Sequence, residues 1–311
     1  MRRARWLERR RQAERALELY RRAAARRSRR TAEALLGAAR CLIALREWDE
    51  VLPALMEAQR SGAPLVPAFF EAAGALLKAR RYRIALRLYG EVERAAGSEM
   101  PAGSDPAAGA DSRLYFNTGY ALSQLGRPFA AARAYRRALE IDPRDADAWF
   151  NLGNAYRAAG ALRKAARAYR ESVQLNPADH EAWNNLGNCS AAMGDVAAAG
   201  AAYRSAIALR PGYHPAWNNL GNLLESRRRH REAIACYDRA IMLEGGKDLL
   251  CFFNRSLSLL AAGREAEARD DIRRWSVVEP PPEMASASAG GPDWVRLLRD
   301  IAPARSQRKA G

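Results

Sequence analysis

The chain has 311 residues and a formal net charge of +16, with 51 Lys and Arg against 35 Asp and Glu. Its four cysteines (Cys41, Cys189, Cys236 and Cys251) share no short spacing and pair with no histidine at metal-ligand distance, so they read as buried reduced thiols and not as a metal module. There is no run of 18 apolar residues and no apolar stretch at the N-terminus, so the expectation is a cytoplasmic protein without a membrane partner.

The positive charge is uneven. Residues 1–30 hold 13 arginines against Glu8, Glu14 and Glu18, residues 303–311 add Arg305, Arg308 and Lys309, and the body between is close to neutral. Attraction to anions is therefore expected of the two ends. Within 1–31, Trp6, Ala13, Leu17, Tyr20 and Ala24 recur at helical intervals, which predicts an Arg-rich N-terminal capping helix. In it Ala16, Tyr20 and Ala23 stand where a second hairpin helix would place its core residues.

From residue 32 the chain reads as 34-residue units. Two degenerate ones cover 32–99, with Ala39 and Ala73 at unit position 8, Val51 and Ala85 at position 20, and Leu55 and Tyr89 at position 24. A Pro-, Gly- and Ala-rich stretch, 100–111, predicts a flexible loop. Five further units fill 112–282. In the unit from 146, Trp149, Leu152, Gly153, Tyr156, Ala165, Tyr169 and Pro177 take positions 4, 7, 8, 11, 20, 24 and 32. In the unit from 180 the series is Trp183, Leu186, Gly187, Ala199, Tyr203, Ala206 and Pro211. Positions 4, 7, 8 and 11 share one helical face. The small residues at 8 and 20 admit a second helix closely, and the proline ends the unit. The unit from 214 has Gly245 in place of that proline and is followed by one added residue. In the last unit Trp275 at position 27 would block another hairpin, so the array is expected to stop. A linker, a short amphipathic capping helix built on Trp294, Leu297, Leu298 and Ile301, and a basic tail are expected over 283–311.

This pattern resembles the tetratricopeptide repeat family, whose period is 34 and whose signature is W-x2-L-G-x2-Y followed by Ala, an aromatic and Pro. The resemblance implies an all-α, right-handed superhelical solenoid of stacked helix-turn-helix hairpins. It also implies a concave groove lined by positions 2, 5, 6, 9, 12 and 13 of each first helix. Position 6 reads Asn117, Asn151, Asn185, Asn219 and Asn254, and position 9 adds Asn154, Asn188 and Asn222. Asparagine is a mediocre helix former, and its amide both donates to and accepts from a peptide main chain. The row is similar to the asparagine ladder in the superhelical repeat region of O-linked N-acetylglucosamine transferase, which holds extended polypeptides. Its other reading is family consensus that joins neighbouring units. The carboxylates Asp147, Glu181 and Glu225 against Arg157 argue against a clamp for acidic chaperone tails.

No Gly-rich phosphate loop, GxSxG or metal-spaced cluster accompanies the three histidines, His180, His214 and His230. The reading is a non-enzymatic interaction scaffold that binds a protein or peptide partner, with no cofactor, no metal and no small-molecule substrate. The alternatives are a nucleic-acid- or ribosome-associated protein using the N-terminal arginines, and a targeting subunit for a separate glycosyltransferase. The Ala and Arg bias suggests a bacterial genome.

Overall fold

The computed structural model describes residues 2–26, 31–61, 66–98, 111–247 and 249–275, all of them in helices or in the short turns that join helices. The expected loop at 100–111, apart from Asp111, and the cap and tail at 283–311 lie outside the described residues, as does the Trp275 side chain. The chain forms two compact bodies, divided after Ala161.

The N-terminal body holds α1 (Arg2–Ala25), α2 (Thr31–Leu45), α3 (Trp48–Arg60), α4 (Val66–Lys78), α5 (Tyr82–Ser98), α6 (Ser112–Gln124), α7 (Pro128–Ile141) and α8 (Ala146–Ala158). Helices α2/α3, α4/α5 and α6/α7 pair as hairpins, and α1 packs along α2. In α1 the buried stripe is Leu17 with Ala13 and Ala24, which join the core of the following hairpins. Ala23 and Tyr20 stay exposed and Ala16 is only half-buried. The expected core register of α1 is thus corrected: the side packed on α2 carries Leu17, Ala13 and Ala24 and not Ala16 and Ala23. Tyr20 instead lies over Gly37, where an added Cβ would come within 2.5 Å of its ring.

The C-terminal body holds α9 (Leu162–Leu175), α10 (His180–Ala192), α11 (Val196–Leu209), α12 (His214–Glu225), α13 (His230–Leu243), α14 (Leu249–Ala261) and α15 (Glu265–Trp275). Hairpins α10/α11, α12/α13 and α14/α15 stack so that the first helices α10, α12 and α14 lie side by side.

The glycine at position 8 has a steric cause. A Cβ on Gly187 or Gly221 would sit 2.5 or 2.6 Å from the ring of Tyr203 or Tyr237 on the second helix of the same hairpin. The tyrosine therefore occupies the space that a side chain would fill, and each ring is almost wholly buried. Every turn inside a hairpin closes in one way: the residue after a left-handed one donates to the carbonyl five residues back, as Asp195 does to Ser190 at 2.9 Å and Arg81 to Leu76 at 2.8 Å. Prolines at position 32 do more than end a unit. The Nε1 of Trp149 donates to the carbonyl of Pro143 at 2.9 Å, and Trp183 and Trp217 do the same to Pro177 and Pro211 at 3.0 Å.

Candidate peptide-binding face

Helices α8 and α10 are started by aspartates: Asp145 accepts from the Ala148 N–H, and Asp179 accepts from those of Glu181 and Ala182. These caps fix where α8 and α10 begin and so set the register of the asparagines along them.

In the N-terminal body Asn117 lies on α6, and Asn151 and Asn154 lie on α8. Asn151 donates through Nδ2 to the Asp147 carbonyl of its own helix at 2.8 Å. Asn117 neighbours the Tyr89 hydroxyl, whose pKa burial pushes up to about 12, an effect that the amide partly offsets. That hydroxyl makes no hydrogen bond of acceptable geometry.

In the C-terminal body the asparagines divide by role. At position 9, Asn188 and Asn222 accept from the hydroxyls of Tyr203 and Tyr237 at 2.9 and 2.8 Å, which locks each hairpin internally. At position 6, Asn219 Nδ2 donates to Asn184 Oδ1 at 3.0 Å, and Asn254 Nδ2 donates to Asn218 Oδ1 at 3.2 Å. Cys251 Sγ lies 3.4 Å from the same Asn218 oxygen. Each of these bonds runs from one first helix to the one before it. Asn185 on α10 has no hydrogen-bond partner among the described residues.

Asn184 and Asn218 occupy position 5, which the sequence assigned to the groove lining. Both are buried, at 4% and 9% exposure, so this is a correction: the first helices approach closely enough to enclose position 5 between them. The signal was present as the doublets Asn184–Asn185 and Asn218–Asn219, spaced by 34. Two asparagines in a row cannot both face solvent on a helix whose flanks are packed.

Other polar groups are also committed. Glu225, counted above among the groove acids, accepts from Ser258 at 2.5 Å and pairs with His230 Nδ1 at 3.0 Å. Arg210 donates to His180 Nε2 at 3.1 Å, and His214 pairs with Glu244. In the last hairpin Arg255 stands where the three preceding units carry Leu152, Leu186 and Leu220. It holds the buried Asp271 through two bonds of 2.7 and 2.6 Å and reaches Asp238 of the preceding hairpin at 2.5 Å. The cysteines are free thiols. Burial pushes the Cys236 pKa up to about 11, which keeps that thiol protonated at neutral pH. Among the described residues no group of three or more His, Cys, Asp or Glu could hold a metal ion, and no helix is long and apolar enough to cross a membrane.

Paired helices with small residues under aromatic rings, repeated at one spacing and stacked through their first helices, define a helical repeat protein of the protein-binding class. The comparisons agree. Family models described as tetratricopeptide repeat or TPR repeat match residues 119–160, 151–214 and 214–245. A crystal structure of MamA is 25% identical, with 55% of this chain and 96% of that chain covered and a TM-score of 0.50. PilF of Pseudomonas aeruginosa is 18% identical, with 70% and 93% covered and a TM-score of 0.56. A MamA RS-1 double mutant is 19% identical, with 60% and 98% covered and a TM-score of 0.53. No curated protein matches the chain. Residues 119–245 are thus tetratricopeptide repeats.

Proposed function

We propose that this chain is a non-enzymatic cytoplasmic scaffold whose C-terminal body receives an extended peptide along the first helices α10, α12 and α14. The observation that carries this is the difference in commitment along the asparagine row. Asn185 is uncommitted, while Asn219 and Asn254 have used an N–H on the neighbouring helix and keep their carbonyl oxygens as acceptors. A half-committed amide of this kind is already oriented, so accepting from a peptide N–H requires little further ordering of the side chain. The tetratricopeptide repeats support a protein-binding role.

The test uses an array of peptides of about 15 residues and the full-length chain. Asn185→Ala should weaken bound peptides about threefold to tenfold, since one hydrogen bond contributes roughly 0.5–1.5 kcal/mol. N-methylation of the peptide backbone should weaken them similarly. Peptides that bind the variant as well as the parent would remove the asparagines from recognition.

A further inference from the structure

The turns of the first two hairpins, like the turn between α12 and α13, place arginine where the other hairpins use glycine. Arg46 and Arg80 hold the left-handed turn position at φ 63° and 58°, a conformation that glycine adopts freely and that a residue with a Cβ adopts at a cost. Elsewhere the same turn position is held by Gly126, Gly160, Gly194 and Gly263, and between α12 and α13 by Arg228 at φ 56°.

Between these two turns lies a cavity of about 530 Å³. Arg46, Lys78, Arg80 and Arg81 surround it, and no carboxylate lines it. Its apolar wall is the half-buried Trp48 with Ala75 and Ala79. Over residues 72–90 the chain carries five cations, Lys78, Arg80, Arg81, Arg83 and Arg87, and no acidic residue. The nearby acids of α3 do not neutralise the site: Glu47 and Asp49 lie outside the lining, and Glu50 is held by Arg21 at 2.8 Å. None of the four lining cations has an ion-pair partner among the described residues. Helix C-termini favour basic residues through their dipole, which accounts for Lys78 at the end of α4. It does not account for Arg46, Arg80 and Arg81 lining the same cavity with no carboxylate among them.

We infer that this cavity docks an acidic segment of a partner protein. One apolar side chain of the segment would rest against Trp48, Ala75 and Ala79. The flanking carboxylates would be taken by the guanidinium forks of Arg46, Arg80 and Arg81 and by the Lys78 ammonium. The assignment of the partner as a protein rests on the scaffold reading above, and the site uses none of the asparagines.

The experiment is fluorescence anisotropy of the full-length chain with a fluorescein-labelled ten-residue peptide of Asp and Glu carrying one central Phe. The affinity should fall with added salt. It should drop at least tenfold in the variant Arg46→Gly, Arg80→Gly, Arg81→Gln, while the melting temperature holds or rises because glycine relieves both turns. A charge-matched control, Arg163→Gln, Arg167→Gln, Arg170→Gln on the exposed face of α9, should change the affinity less than twofold. Absence of binding at low salt, or equal losses in the two variants, would overturn the proposal. So would equal affinity for a peptide with Ser in place of the Phe. A ten-nucleotide oligouridylate bound more tightly through the same arginines would replace the protein partner with nucleic acid. Asn185→Ala should leave this peptide's affinity unchanged, so the turn site and the asparagine face succeed or fail separately.

Discussion

The hairpins of α2–α5 and those of α10–α15 have the same geometry but are held together by different chemistry. In the first region Leu35, Leu42, Leu55, Phe69, Leu76 and Leu88 belong to one continuous apolar cluster that extends from Leu17 to Leu114. Around α11–α13 a buried cluster consists of Ala199, Tyr203, Leu220 and Cys236. Smaller apolar clusters join Phe252 with Ile272 and Ile234 with Leu259 and Ala268, and between them run amide pairs, tyrosine–asparagine bonds and the Arg255–Asp271 pair. Hydrocarbon is tolerant of small shifts, whereas an amide pair at 3.0 Å fixes register. The lesson is that the repeat specifies shape through its small and large residues, while the adhesive between helices is free to vary.

The largest expected effect is alkaline unfolding, and it should erase the contrast between the regions. An unfolded tyrosine loses its proton near pH 10, but burial holds the pKa values of Tyr89, Tyr135 and Tyr203 up at about 12. Between these values the fold binds more protons than the unfolded chain. Stability is therefore full below pH 10 and falls as pH rises towards 12, by about 1.4 kcal/mol per pH unit for each tyrosine. Denaturant melts at successive pH values, followed beside tyrosinate absorption, measure this. A flat profile above pH 10 would contradict the burial.

The last hairpin gives the next largest effect. Arg255→Ala leaves the 3%-exposed Asp271 carboxylate without its partner and should cost about 3–5 kcal/mol. Replacing both residues by leucine should return the hairpin to near parental stability, because it restores the apolar cement of the first region. A double variant as unstable as the single one would show that the ion pair specifies more than cohesion.

Within the asparagine row the effects should separate by residue. Asn219→Ala strands the buried Asn184 oxygen and should cost about 1–3 kcal/mol. Asn185→Ala should be neutral or stabilise by roughly 0.5 kcal/mol, alanine being the better helix former. Equal melting temperatures for the two variants would undo the division of the row into joining and uncommitted amides. The smallest contrast is between two tyrosines at unit position 24. Tyr203→Phe loses the bond to Asn188 and should cost about 0.5–1.5 kcal/mol, whereas Tyr89→Phe removes an unbonded buried hydroxyl and should cost nothing or stabilise. Thermal melts of both variants decide it.

What the sequence made legible was whatever repeats. The 34-residue period places Gly187 under Tyr203 and Gly221 under Tyr237, because the same steric demand recurs in the regular copies and leaves the same letters. The asparagine row was legible as a row, but its internal division was not. Asn184 and Asn218 are buried only because neighbouring first helices meet at position 5, a fact of stacking that no single helix encodes. Arg255 was hidden for the opposite reason: it departs from the pattern, and its partners Asp271 and Asp238 lie 16 residues on and 17 residues back. The arginines at positive φ escaped notice because the sequence shows which residue occupies a turn and not which dihedral it adopts.

The tryptophan that reaches back to the proline carbonyl also bears on how such arrays grow. The bond spans six residues at every junction where both partners occur, so it measures the linker like a ruler. A copied segment that begins at any phase of the period regenerates the same junction, whereas inserting a single residue there would break it. At the junction that does carry an added residue, the proline is replaced by Gly245 and the tryptophan by Phe252, which has no N–H to donate. Two glycines at φ 65° and 74° absorb the extra length instead. The other insertion between units, residues 100–111, likewise precedes a unit that has Tyr115 in place of the tryptophan.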